Sequence, residues 1–512
     1  MGFFFSFAIA LNAGLLFLIQ PLIAKMILPW LGGSPAVWNT SLIFYQTCLL
    51  AGYSYAHLGT LSLGTRAHAL LHLALILTAS MLLPVALPVH WFTAPADNPV
   101  GLVLAVLTVT IGFPFFVLSA GAPLMQPWFT HSQHKAARDP YFLYAASNVG
   151  SMAGLLAYPF VLEPRLTSSQ QNYLWFWGYV FLAILLSVCV LYFLRPFGLL
   201  GKRLENHCEP TITAGIPSTV TRARRMRWVA WSLIPSSLLM AITSYLTTDI
   251  ASMPLLWVLP LSAYLFSFVL AFARPSWATS SSMLRLQAFL LLGAAITVFM
   301  HATEPLWVLL PMHLVSFVLT AIVCHGQLAR DKPEVSSLTD YYFWISLGGT
   351  LGGAFNALVA PQIFTVVLEY PLAITAAAFL RPYVGGKNET TLQRCLDGLV
   401  PPMMLLAVFV LTWTMKEHEL LPPSNERFLF FAASGVLCLS FAVRPVRFGI
   451  GMATIALAFL WYPTPYGKTL YTDRSFFGAY RVTLDLETKK HVLFQGTTIH
   501  GAQSIEPNLR LK

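Results

Sequence analysis

Residues 101–120 read Gly-Leu-Val-Leu-Ala-Val-Leu-Thr-Val-Thr-Ile-Gly-Phe-Pro-Phe-Phe-Val-Leu-Ser-Ala, with no charged side chain. A helix of this length rises about 30 Å, which is the thickness of the hydrocarbon core of a bilayer. The stretch therefore predicts a membrane-spanning helix, and comparable apolar runs recur along the first 462 residues.

The composition of the whole chain agrees with this prediction. Of its 512 residues, 57% are apolar and only 10% are charged, whereas a soluble globular protein carries about 25% charged residues. So few charges could not cover the surface of a soluble enzyme, and so many apolar residues exclude a disordered chain. The six cysteines lie far apart, which predicts neither a disulfide framework nor a metal site.

The apolar runs predict an all-α polytopic membrane protein of about 14–15 helices. The last runs are short, and the run 366–381 contains Glu369 and Pro371, so the number of spans and the side of the C-terminus stay open. The predicted spans are 3–28, 37–57, 69–88, 99–121, 141–162, 171–194, 229–248, 253–273, 284–301, 305–323, 341–360, 366–381, 398–415, 428–443 and 448–462.

The basic residues predict the orientation. Before residue 463, 19 Lys and Arg fall in predicted loops on the side of the N-terminus and 4 fall on the other side. Because cytoplasmic loops carry the excess of Lys and Arg, this distribution predicts a cytoplasmic N-terminus. It also explains the net charge of +10 without a nucleic-acid partner. The predicted partner of most of the surface is the lipid bilayer.

The sequence contains an internal duplication. Phe116-Val-Leu-Ser-Ala recurs as Phe317-Val-Leu-Thr-Ala, and the motif Pro-x-x-Trp-x-x-x-Leu-x-x-Tyr occurs at both 35–45 and 254–264. The period of about 200 residues encloses six predicted spans. An even number of spans gives two parallel six-helix repeats, which is the arrangement of the halves of some transporters. The predicted domains are 1–194 (first repeat), 195–228 (basic loop), 229–381 (second repeat), 382–462 (additional helices) and 463–512.

Small residues occupy matching positions in the two repeats, at 147–154 and 346–353. Glycine lets helix backbones approach closely, and we expect these helices to line the interface between the repeats.

Polar residues within the apolar runs are the candidate site residues, because such groups are costly in a membrane. Lys25 can extend to the interface or serve as a functional cation, and Asp249 can cap a helix or face a cavity. Glu163 and Glu369 lie at matching places in the two repeats. They can serve as interfacial caps or form a paired site for a polycation. The candidate substrate path comprises Asn148, Gln126, Gln327, Asp249, Glu163, Glu369, Lys25, Gln46 and Tyr45.

The last 50 residues have a different character. Alternation at Tyr480, Val482 and Leu484 predicts a strand, and residues 491–494 predict a second strand that returns beside it. A short C-terminal β-hairpin of a soluble domain follows from this pattern. A hairpin alone cannot bury a core, so we expect it to need a partner.

Several motifs resemble the membrane region of bacterial fused spermidine synthase-like proteins, also described as major-facilitator/spermidine synthase fusions. The tail, with Arg474-Ser-Phe-Phe-Gly and Gly496-Thr-Thr-Ile-His-Gly-Ala-Gln, resembles the first strands of their aminopropyltransferase-like domain. The membrane motifs that carry the resemblance are Pro21-Leu-Ile-Ala-Lys, Leu31-Gly-Gly-Ser-Pro-Ala-Val-Trp-Asn, Gly52-Tyr-Ser-Tyr-Ala-His, Asp139-Pro-Tyr-Phe-Leu-Tyr-Ala-Ala-Ser-Asn, Pro235-Ser-Ser-Leu-Leu, Thr247-Thr-Asp, Pro254-Leu-Leu-Trp-Val-Leu-Pro and Glu369-Tyr-Pro-Leu.

The resemblance implies a multi-pass protein of the bacterial inner membrane related to polyamine chemistry. Such proteins carry a Rossmann-like domain for an S-adenosylmethionine-type cofactor, but no Gly-rich nucleotide turn or acidic cluster follows the tail motif before Lys512. We therefore expect no cofactor and no catalytic residue in this chain, with His500 and Gln503 as ligand-facing candidates.

Three functions stay open. The chain could be the membrane module of a spermidine synthase-like system whose catalytic part is a separate methyltransferase-like or spermidine synthase-like chain. It could be a transporter of organic cations such as polyamines, or it could be a structural assembly protein.

Overall fold

The computed structural model describes residues 2–92, 97–130, 141–194, 220–250, 256–334, 337–383, 390–418, 420, 423–461, 467–486 and 488–506. The chain is a polytopic helical membrane protein with a small C-terminal sheet. Ten described helices are long and apolar enough to cross a membrane. The helices are α1 (Gly2–Leu31), α2 (Pro35–Ser80), α3 (Pro99–Leu107), α4 (Phe113–Thr130), α5 (Tyr141–Ala157), α6 (Ser168–Leu194), α7 (Arg222–Tyr245), α8 (Val258–Ala273), α9 (Ser281–Phe299), α10 (Leu306–Arg330), α11 (Leu338–Ala354), α12 (Glu369–Phe379), α13 (Thr391–Glu417), α14 (Pro423–Ser440) and α15 (Pro445–Trp461).

Each of the fifteen predicted spans falls on helix, with differences at the ends. Helix α2 is broken at Gly64 (φ +73°, ψ +163°), so that it consists of two helical segments, 35–63 and 65–80. These segments are the predicted spans 37–57 and 69–88, although the second helix ends at Ser80 and a cis peptide bond precedes Pro84. Helix α12 has 11 residues and rises about 16 Å, about half the hydrocarbon thickness.

The helices form two compact units. The first consists of Met1–Trp30, Phe44–Ala230 and Lys332–Gly348, and the second of Leu31–Ile43, Trp231–Asp331 and Gly349–Lys512. In the second unit, α10 packs against α8 and α9, and the additional helices α14 and α15 pack against α9 and α12.

The glycine stretches of the two repeats bring equivalent helices together. A Cβ atom on Gly150 would lie 2.1 Å from the carbonyl oxygen of Ala10, so that α5 contacts α1 backbone to backbone. A Cβ atom on Gly352 would lie 2.4 Å from the carbonyl oxygen of Leu233, which brings α11 onto α7 in the same way. These contacts lie within each repeat. The glycines thus pack helices of one repeat together, while Tyr144 of α5 and Tyr342 of α11 stack on each other across the repeats.

Both glycine-rich helices continue into a wider π turn. The turn Tyr158–Leu162 follows α5 and the turn Phe355–Val359 follows α11. Turns of this kind insert one extra residue into the helix and re-aim the side chains that follow. Their matching positions extend the similarity of the repeats from the sequence to the local backbone.

The C-terminal sheet is larger than the predicted hairpin. The predicted strands are present as the antiparallel pair β2 (Gly478–Asp485) and β3 (Lys490–Gln495). Two further strands, β1 (Lys468–Ser475) and β4 (Thr498–Ser504), add to either side to give the order β1-β2-β3-β4. The sheet buries Val492 and Phe494, which is a small core.

Candidate functional site

The two repeat-related acids each have a basic partner. In the first unit, the ammonium group of Lys25 lies 2.6 Å from a carboxylate oxygen of Glu163, and about a third of each side chain is exposed. Lys25 thus neutralises the acid that follows the π turn of the first repeat.

Glu369 is paired with the C-terminal sheet. Its carboxylate, which is 4% exposed at the start of α12, accepts a hydrogen bond from the guanidinium group of Arg474 on β1. Arg474 also donates to the carbonyl oxygen of Val366 at 3.3 Å. A buried acid of the second repeat is thus neutralised by the tail, while its counterpart Glu163 is neutralised by α1.

The tail lies at one defined end of the second unit. Thr472 on β1 is 3.5 Å from Thr365, in the connection between α11 and α12. Burial, together with the positive charges of Arg427 and of Arg481 on β2, lowers the pKa of His301 to about 4. His301 follows α9 and precedes α10, so the sheet lies near the N-terminal end of α10, opposite the end that carries Arg330.

Two repeat-related tryptophans stack on each other in the second unit. The rings of Trp38 and Trp257 occupy equivalent positions of the Pro-x-x-Trp motif, and their centroids are 3.5 Å apart with an interplanar angle of 21°. The amide of Asn39 donates to the hydroxyl of Ser244 at 2.8 Å beside them. Equivalent positions of the two sequence repeats are therefore in direct contact here.

A second set of contacts between the repeats lies within the first unit. The hydroxyl of Tyr342 on α11 donates to Gln126 on α4 at 3.3 Å, and its ring stacks on Tyr144 of α5 with 6.1 Å between centroids. His57 on α2 and Thr339 on α11 are hydrogen-bonded at 2.8 Å. The structure thus brings predicted Gln126 together with Tyr342, which was not in the predicted site.

The other predicted membrane residues differ in burial and in hydrogen bonding. Tyr45 is 1% exposed against Phe115, and its hydroxyl has no hydrogen-bond partner among the described residues. Gln46 and Asn148 are half-buried. The side-chain nitrogen of Gln327 is buried, likewise without a partner in the described part of the chain.

The side chain of Asp249 lies outside the described residues, although its backbone belongs to the π turn Leu246–Ile250. In the tail, His500 and Gln503 are both exposed on β4. His500 is the unpaired extra residue of a β-bulge between Ile499 and Gly501.

Some ionic and polar groups were missed by the sequence analysis. Asp397 on α13 pairs with both Arg444 and Arg447 at 2.7 and 2.8 Å. His68 and His72 are fully buried on the second segment of α2. Their spacing of four residues could have identified this pair from the sequence. Among the described residues, no three His, Cys, Asp or Glu side chains are grouped to hold a metal ion.

Comparisons with known proteins gave structural likenesses only. No protein-family model matches the chain, and no curated protein matches it. The inward-open xylose transporter XylE from E. coli has a TM-score of 0.47 and 13% sequence identity, covering 77% of this chain and 99% of that one. A peptide transporter POT in complex with sulfate has a TM-score of 0.45 and 12% identity, covering 74% and 93%. A D-xylose-proton symporter has a TM-score of 0.42 and 13% identity, covering 75% and 95%.

Proposed function

We propose that this protein is a membrane transporter whose two sequence repeats move relative to each other. The stack of Trp38 on Trp257 carries the proposal, because it joins equivalent residues of the two repeats through aromatic and neutral polar contacts. Such contacts are worth only about 0.5–1.5 kcal/mol beyond the area that they bury. They can therefore be broken and remade during a transport cycle.

The second set of contacts supports alternating access. Trp38 and His57 lie in the same helical segment of α2 and are nineteen positions apart, about 28 Å along the helix. Trp38 contacts the second repeat at Trp257, and His57 contacts it at Thr339. Contacts between the repeats near both ends of one spanning segment are what a rocking mechanism requires, since one set must open while the other stays closed.

An organic cation such as a polyamine is the substrate class that we propose. Glu163 and Glu369 already have intramolecular partners, so a cation would be recognised mainly by aromatic faces. Tyr53 and Tyr144 both contact the ring of Tyr342, and π faces of this kind attract ammonium groups. Asp249 is the acid that we propose as the counter-ion.

The experiment is flux of radiolabelled putrescine and spermidine into liposomes that contain the full chain. A Trp38→Cys/Trp257→Cys variant with the native cysteines replaced by serine would be crosslinked across the stack. We expect the crosslink to abolish flux and a reducing agent to restore it. Equal flux before and after crosslinking would contradict the proposed movement, and flux of neutral sugars or dipeptides only would contradict the substrate class.

A second candidate function rests on the tail. The sheet β1–β4 is fixed to the membrane helices through Arg474 and exposes the edge strand β4. This arrangement favours a membrane module that holds a separate spermidine synthase-like chain, which would also supply any S-adenosylmethionine-type cofactor. Affinity capture with the full chain, compared with a chain that ends at residue 462, would test it. Equal recovery of a cofactor-binding partner with both chains would rule out docking by the sheet.

A further inference from the structure

Two buried histidines and a tyrosine form a polar cluster in the first unit. Tyr55 lies on the first segment of α2, and His68 and His72 lie on the second segment, beyond the break at Gly64. The ring of Tyr55 is 4.7 Å from that of His68 and 6.1 Å from that of His72. Both histidines are at most 1% exposed. On α4, Phe116 contacts the ring of Tyr55 and Trp128 contacts the ring of His72.

The hydrogen bonds fix the tautomer of His68. The hydroxyl of Thr60 donates to the carbonyl oxygen of Ala56 at 2.7 Å, so its oxygen accepts from Nδ1–H of His68 at 3.3 Å. In the neutral ring the proton is then on Nδ1, and Nε2 presents a lone pair. That Nε2 atom is buried and has no hydrogen-bond partner among the described residues.

His72 has even fewer polar contacts. Neither of its ring nitrogens has a hydrogen-bond partner within the described part of the chain, and the hydroxyl of Tyr55 has none either. Leaving a buried donor or acceptor without a partner costs about 1–3 kcal/mol each. A structural role alone does not account for this cost, because an apolar side chain would fill the same volume without it.

The tight packing limits what can bind there. A Cβ atom on Gly59 would lie only 2.5 Å from Cε1 and Nε2 of His68, so the histidine ring already fills the space beside the helix. A solute or a metal ion with its own ligands would need additional volume. A proton needs none. Ionisable side chains within membrane helices typically belong to ion pathways or proton relays.

We propose that His68 and His72 together bind one proton. The proton would occupy Nε2 of His68, which is buried and has no hydrogen-bond partner among the described residues, and His72 lies one helical turn further on. A second proton is disfavoured because two adjacent imidazolium ions would repel each other. Among the residues that the structure describes, the titratable group that faces the pair is Tyr55, on α2, while the facing residues of α4 are the uncharged Phe116 and Trp128.

Proton binding would couple transport to pH, an extension that rests on the proposed transport function. The break at Gly64 places His68 and His72 on a different helical segment from Tyr55. Protonation of the pair would therefore change the contact between two spanning segments of the first repeat.

Proton uptake by the full chain in detergent tests the binding step without any transport. Between about pH 8 and about pH 5, the range in which histidines change charge, we expect His72→Gln to take up one proton fewer than the wild type. The control is His313→Gln, since His313 is equally buried but has both ring nitrogens bonded, to Tyr370 and Thr297. We expect the His313→Gln variant to take up as many protons as the wild type. Equal uptake by the His72→Gln variant and the wild type would overturn the proposal.

Ring spectra of the wild-type protein with ¹⁵N-labelled histidine keep the test independent of how well a variant folds. We expect one ring with the proton on Nδ1 and a free Nε2 at high pH that gains a proton on acidification. If no such ring changes state, the proposal is wrong. Putrescine flux at both pH values then separates the two proposals. Absence of flux in every protein contradicts transport alone, and flux with a pH dependence unchanged in His72→Gln contradicts the coupling.

Discussion

Arg474, on the first strand of the C-terminal sheet, forms an ion pair with Glu369, a buried acid at the first turn of α12. The pair joins two parts of the chain with different composition, a helix in a membrane repeat and a strand of an ordinary soluble sheet. It also explains how an acid can persist at a position where the sequence suggests a membrane span.

Removing Arg474 should destabilise the protein strongly. The side chains of Arg474 and Glu369 are 13% and 5% exposed, and breaking a buried pair leaves one charge uncompensated, at a cost of about 3–5 kcal/mol. We expect Arg474→Gln to lower the free energy of unfolding in detergent by this amount, and Arg474→Gln/Glu369→Gln to recover most of it.

The matched control for this pair lies in the same sheet. Lys489 and Glu506 form a pair at 3.6 Å with side chains 70% and 55% exposed, and exposed pairs contribute at most about 1 kcal/mol. The Lys489→Gln variant should therefore have almost the same free energy of unfolding as the wild type. A similar loss in both variants would mean that Glu369 is not buried in solution.

Two glycines of α11 should respond differently to the same substitution. In Gly352→Ala the new Cβ would lie 2.4 Å from the carbonyl oxygen of Leu233, whereas Gly349 has nothing within 4 Å of the corresponding position. We expect Gly352→Ala to lower stability by about 1–3 kcal/mol through overpacking. Gly349→Ala should be neutral or slightly stabilising, because alanine favours the helix by up to about 1 kcal/mol. Thermal unfolding of both variants checks this, and equal midpoints would contradict the α7–α11 contact.

Asp397 should be essential for the packing of the additional helices. It is 6% exposed and binds both Arg444 and Arg447, so Asp397→Asn would leave two arginines without their counter-ion. We expect a loss of about 3–5 kcal/mol in unfolding stability, the range for breaking a buried pair. Lys489→Gln is again the comparison, since both side chains of its pair with Glu506 are exposed, at 70% and 55%, and it should cost less than about 1 kcal/mol. A loss in Lys489→Gln as large as that in Asp397→Asn would show that burial does not decide the strength of these pairs.

The tail should lie on the side of the membrane opposite the basic loops. It contacts the connection before α12 and approaches His301, at the end of α10 that is far from Arg330 and Lys332. Because basic loops mark the cytoplasmic side, alkaline phosphatase fused after residue 506 should be active and a fluorescent protein fused there should be dark. The same two reporters fused after Lys332 should give the reverse result. Fluorescence of the fusion after residue 506 would contradict this placement of the tail and would favour fourteen spans.

The sequence alone was sufficient to predict that this is a membrane protein and where most of its helices lie. Membrane spans are readable because an apolar run of about 20 residues has few other stable environments. The duplication was equally readable, and the matching π turns and glycine contacts of the two repeats agree with it. The tail hairpin followed from its alternation, but the flanking strands β1 and β4 lack that pattern, since most of their residues are exposed.

Tertiary structure decided how the polar groups are used. The sequence presented Lys25, Glu163 and Glu369 as separate charges, and only folding brings Lys25 to Glu163 and a tail arginine to Glu369. It also decided that Trp38 meets Trp257 and that His68 and His72 lose contact with water. The physical reason is that hydropathy determines where a segment lies relative to the membrane, whereas ion pairs and stacked rings depend on distances between residues far apart in the chain.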